Sequence, residues 1–165
     1  MAKFATKAAE NEFYIARMEA AKFNDDLASR EGASEYLGMD RTRLSRIELD
    51  SQVPLPEDVL LMADLYRRPE LCNHYCTRIC PIGKKTMEPM VEGSLPELAI
   101  KSFFAAHDID QPAEEFLKMM EDGKLDSKDK KRLEEIIPEI KKTVNVFNTL
   151  LVMLSKELER GESID

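Results

Sequence analysis

The strongest constraint on this chain lies near its end. Leu133, Ile137, Ile140, Val144, Phe147, Leu151, Leu154 and Leu158 follow one another at steps of 4, 3, 4, 3, 4, 3 and 4. Only an α-helix brings such positions onto one face. A repeat averaging 3.5 residues marks the seam of a helix lying along a partner helix. Ile136, Val146, Leu150 and Met153 widen the apolar face beyond a two-stranded seam. Pro138 predicts a bend in the first turns, or marks the true start of the helix. The seam has two readings: a dimer interface between two copies of the chain, or one face of a long helix packed on its own domain.

Helical spacing runs through the rest of the sequence. Phe13, Ala16, Ala20, Phe23 and Leu27 form an apolar stripe. Ser29 has the character of a helix start and Gly38 of a stop, and Asp40 can cap a second helix through Glu48. Pro56-Glu57-Asp58 opens another, with Val59, Met62, Ala63 and Tyr66 facing inward, and Pro69-Glu70 opens a further one through the cysteines. Residues 95–107 and 112–122 predict two amphipathic helices joined by Asp108 to Gln111. No stretch alternates apolar and polar residues as a strand does, so the expected fold class is all-α. Pro89, Gly93 and Pro96 place a boundary at about 86–94, dividing residues 1–88 from 89–165.

Several function classes fall away. No apolar run approaches the ~18 residues of a membrane span. The segment from Met1 to Lys7 lacks the apolar core of a signal peptide, so a cytoplasmic protein is expected. Three cysteines argue against a stapled secreted scaffold. Two histidines, with no nucleophile–base pair and no phosphate loop, argue against an enzyme, and no cofactor motif is present. The net charge of −8 argues against a general nucleic-acid binder. A binding face is local, however, and Arg41, Arg43 and Arg46 fall within six positions that hold no acid.

Those arginines belong to the second of two short helices separated by Gly38-Met39-Asp40. Ala33 and Ser34 are small enough for two helices to cross closely. Gly38 can leave the first helix in the left-handed conformation, and Asp40 caps the second. Leu44 and Ile47 bury its inner side. Arg41, Thr42, Arg43, Ser45 and Arg46 are left for DNA. Glu48 lies amid groups that should approach phosphate. A bare carboxylate there would repel DNA, so it is expected to turn inward and pair with an arginine, Arg17 being the candidate.

Residues 29–66, from Ser29-Arg30-Glu31-Gly32 through Leu44-Ser45-Arg46-Ile47-Glu48 to Met62-Ala63-Asp64-Leu65-Tyr66, resemble the xenobiotic-response-element or lambda-repressor-like family of helix–turn–helix regulators. The likeness covers about residues 13–80. It implies a bundle of about five helices whose third enters the major groove of double-stranded DNA. It also implies that Arg30, at the start of the second helix, contacts backbone phosphate. Ser34 stands where alanine is usual, and the linker from Asp50 to Pro56 replaces the usual glycine-containing turn. The second half resembles the helical extension of regulators of this type.

Cys72, Cys76 and Cys80, spaced by four, lie along one stripe of a helix. They fit three small packing residues, thiolate ligands for a metal, or a redox switch. His74 points away from that stripe. Asp122-Gly123-Lys124-Leu125 resembles the centre of a calcium loop, but Lys118 and Met120 occupy ligand positions, which excludes it. The expected function is sequence-specific DNA binding that regulates transcription, as a homodimer through the helix from Leu133 to Leu158, with an effector the sequence does not identify. The alternative is a protein–protein adaptor or antitoxin-like module whose C-terminal helices grip a partner. A metal or thiol sensor is a third reading, compatible with the first.

Overall fold

Helices in this chain begin where a side chain can accept the N–H groups that the first turn leaves unpaired. Asn11 accepts from the Tyr14 N–H and opens α1 (Glu12–Ala20). Ser29 accepts from the Gly32 N–H at 3.0 Å and opens α2 (Arg30–Leu37). Asp40 accepts from the N–H groups of Thr42 and Arg43 and opens α3 (Arg41–Glu48). At α4 (Pro56–Leu65) the Asp58 carboxylate reaches back to the Leu55 N–H at 2.8 Å. The starts of α2, α3 and α4 match the sequence punctuation, whereas α5 (Glu70–Arg78) starts after Pro69 as expected but ends before Cys80, so the third cysteine falls outside the expected helix. A short α6 (Gly83–Thr86) follows the cysteines and was not foreseen.

The structure is a computed structural model that describes residues 8–161. The signal-peptide argument concerns residues 1–7 and lies outside the described residues. Among those described there is no strand, so the protein is all-α. No helix among them is long and apolar enough to cross a membrane. The contacts divide the described residues into two units, one built on residues 8–88 and the other on Pro89–Leu158.

The first unit has a continuous core in which Phe13, Leu37, Leu44, Ile47, Met62 and Leu71 are buried, with Val59, Ala63 and Tyr66 of α4 and its end packed in as expected. One expected element does not form. The stripe from Phe13 to Leu27 is not one helix, because α1 ends at Ala20. The Asn24 side chain accepts from the Asp26 N–H, a local turn that competes with helix continuation. Leu27 reaches the core from a 3₁₀ turn (Asp25–Ala28), while Phe23 is left 94% exposed.

In the second unit, α7 (Leu95–Asp108) opens on a capping box between Ser94 and Glu97. Its successor α8 (Asp110–Met119) starts after Ile109 alone, so the expected linker from Asp108 to Gln111 is helical. Pro112 sits in the first turn of α8, where its missing N–H is not needed. The last helix, α9 (Lys130–Gly161), runs through Pro138, which therefore does not mark its start. Pro138 is exposed, so water can meet the carbonyl it leaves unpaired. Ile136, Val146 and Thr149 of α9 are buried, and Leu98, Ser102 and Ala105 are buried on α7. Thr149 accepts from the Val91 N–H at 3.0 Å, and Arg132 pairs with Glu115 of α8.

Candidate nucleic-acid interface

The pair α2–α3 is held at its turn by Gly38, whose φ of 58° is left-handed. A second glycine fixes the approach to α2. A Cβ on Gly32 would lie 2.2 Å from the Asp26 carbonyl oxygen, so only glycine lets the first turn of α2 touch the 3₁₀ turn before it.

The inner side of α3 is locked in four places. Leu44 and Ile47 are buried in the core. Glu48 is fully buried and faces Arg17 of α1, with Nε to Oε1 at 2.6 Å and Nη2 to Oε2 at 3.1 Å. Nη1 of Arg17 donates to the Leu27 and Ala28 carbonyls at 2.8 and 2.9 Å. Burial pulls the Arg17 pKa down, and the hydrogen bond and charge of Glu48 more than offset it, so the net shift is upward. Burial, then the charge of Glu48, pushes the nearby Tyr66 phenol up, so it stays protonated. The inward turn of Glu48 and its pairing with Arg17 are as the sequence argued.

The other two locks were missed. Asn11 caps α1 and also donates from Nδ2 to the Ile47 carbonyl at 3.0 Å and to Asp50 at 2.8 Å, so one side chain ties the start of α1 to the end of α3. Asp58 receives Arg43 Nη2 at 2.6 Å while it caps α4. An Asn before a helix and an Asp at its third position each signal a cap. Nothing in their local sequence signals the second, distant bond.

The residues expected at DNA therefore separate into two groups. Arg41, Thr42 and Arg46 are exposed, and Ser45 is partly exposed beside them. The helical period sets Thr42 next to Ser45 and Arg46, and Arg41 next to Ser45, so these four form one outward stripe. Arg43 and Arg30 are not free in this way. Arg43 is half-buried against Asp58. Arg30 donates from Nε to the Glu48 carboxylate at 2.6 Å, with its side chain 26% exposed. For Arg30 the expectation of a phosphate contact meets an existing partner, because Glu48 accepts from two arginines at once.

The three cysteines are free and partly buried, each in different surroundings. Cys72 packs against the core, and its thiol is pushed up by burial and then by the neighbouring Cys76. Cys80 lies just past the end of α5 and accepts weakly from the Gly83 N–H. His74 stands edge-on to the Phe13 ring, with centroids 5.8 Å apart. Among the described residues no three His, Cys, Asp or Glu side chains come together as metal ligands would.

Comparison of the chain with protein families, with curated proteins and with solved structures finds no match. The functional assignment rests on the geometry of α3 and its supports.

Proposed function

We propose that this protein binds double-stranded DNA in a sequence-specific manner through the outward stripe of α3, and so regulates transcription in the manner of helix–turn–helix regulators. The observation that carries this reading is the division of α3 into two sides. Its inner side is fixed to α1, α2 and α4 by buried and half-buried polar bonds. Its outer side presents Arg41, Thr42, Ser45 and Arg46, all donors, without an acid among them. A rigid short helix with such a face can lie in a major groove and set donors against the acceptors of guanine. Arg46 and Thr42 are assigned to base edges and Arg41 to the phosphate flank. Arg43 positions the helix through Asp58. Arg30, whose side chain is 26% exposed, serves the buried carboxylate through Nε and is assigned to a phosphate through its remaining donors.

The negative body makes the complex selective. Non-specific affinity grows with the number of phosphates neutralised, and this face offers few cations. Selection from a randomised duplex library tests the reading. Enrichment of a defined motif, lost on Arg46→Ala, is the expected result. Enrichment of no motif, or of one that Arg41→Ala and Arg46→Ala both retain, overturns it.

A further inference from the structure

We infer that the unit spanning Pro89–Leu158 is half of a structure, and that a second copy of this chain completes it along the seam of α9. Three observations converge. First, the unit is nearly coreless by itself. Its buried hydrophobic residues, prolines aside, are Leu98, Ala105, Ile136 and Val146. A unit of about 70 residues is already marginal with a full core, because so much of its surface stays wet. Four such residues, two of them alanine and valine, do not make one.

Second, the apolar residues the unit lacks inside are present outside, in one register. Ile136 and Val146 face inward, whereas the seam positions Ile137, Val144, Leu151 and Leu158 are 49, 50, 64 and 71% exposed. The heptad seam is therefore not the face that holds α9 to its own unit. No charged residue interrupts it from Leu133 to Leu158. On α7, Phe103 and Phe104 are exposed as well.

Third, the size fits. The half-exposed seam residues offer on the order of 700 Å² per chain, close to the ~800 Å² that each partner buries in a standard specific interface. The required occupant must bring an apolar helix face of equal length and the same 3.5-residue period. A second copy brings it by construction, and a two-fold axis lets each seam cover the other. Folding of this unit is then coupled to association, and its stability depends on chain concentration.

This inference stands apart from DNA binding, and its test uses no DNA. The full chain is sedimented, and melted by circular dichroism, between about 1 and 100 µM. The expected mass is twice 18.9 kDa, with a melting transition that moves up with concentration. Leu151→Asp and Val144→Asp put a charge on the seam. Each should yield a monomer that loses more than half of the helical signal, because α7, α8 and α9 hold 14, 10 and 32 residues. Lys142→Asp, an exposed charge change off the seam, should leave the dimer intact. A wild-type monomer across this range overturns the inference, whether its C-terminal helices are folded or not. So does a Leu151→Asp chain that stays dimeric, or one that is monomeric with undiminished helix.

Discussion

Removing the Glu48 carboxylate isolates what holds α3 in place. In Glu48→Ala, Arg17 keeps its bonds to the Leu27 and Ala28 carbonyls but loses its counter-charge while remaining 2% exposed. Breaking a buried pair by deleting one partner costs about 3–5 kcal/mol, because a desolvated charge is left behind. The two retained carbonyl bonds place the expected loss at the lower end, about 3 kcal/mol. Arg30, 26% exposed, can turn to water and adds little. Replacing both partners, Arg17→Met with Glu48→Leu, removes the stranded charge and should recover most of the loss, since apolar substitutes for buried pairs are often neutral or better. Arg30→Ala should cost less than about 1 kcal/mol, because Glu48 keeps both bonds from Arg17. Urea unfolding of the four proteins, followed by circular dichroism, gives the ranking. A Glu48→Ala protein as stable as wild type, or a double variant no better than the single one, would refute the reasoning that a stranded Arg17 sets the cost.

Other expected outcomes follow from single contacts. Gly32→Ala should destabilise by about 1–3 kcal/mol, since its Cβ meets backbone rather than a movable side chain. Gly38→Ala, which meets nothing within 4 Å, should cost only the left-handed penalty of about 1–2 kcal/mol, and thermal melts compare the two. Burial holds the His74 pKa below its ordinary 6.5, with Glu12 raising it and Arg78 lowering it to lesser degrees. The unfolded chain then binds the proton more readily, so stability should be full above about pH 6.5 and fall as pH drops through it. His74→Phe should flatten that fall in acid titrations of stability. Cys72, with its thiol pushed up by burial and by Cys76, should react with iodoacetamide at neutral pH more slowly than an unstructured cysteine, as mass spectrometry of timed samples would show.

Helix ends and inward faces were legible in the sequence because their signals are local. Ser29, Asp40 and Pro56 act within three residues of themselves, and the spacing of Leu44 and Ile47 states which side of α3 is buried. The inward turn of Glu48 was legible for a different reason: a carboxylate among residues expected to approach phosphate has to be neutralised. The remainder depends on distances between helices. Arg30 and Arg43 look like their neighbours on paper, yet Glu48 lies within reach of the first and Asp58 of the second. The double duty of Asn11, with partners 36 and 39 residues away, has no sequence signature at all. Phe23 fits the stripe by spacing, and the Asn24 turn removes it. On α9 the periodicity gave both apolar faces, and only packing shows that Ile136 and Val146 serve the unit while the seam stays open.

The decisive measurement is the ratio of affinities for a selected duplex and a scrambled one, taken for wild type, Arg46→Ala and Arg30→Ala across about 50–200 mM salt. If the outward stripe of α3 reads bases, Arg46→Ala should lower the ratio by the equivalent of about 1–3 kcal/mol while scrambled binding changes little. Arg30→Ala should weaken both duplexes together and flatten the salt slope, leaving the ratio unchanged. An Arg46→Ala protein that keeps the wild-type ratio would contradict the assignment of α3 as the element that recognises DNA.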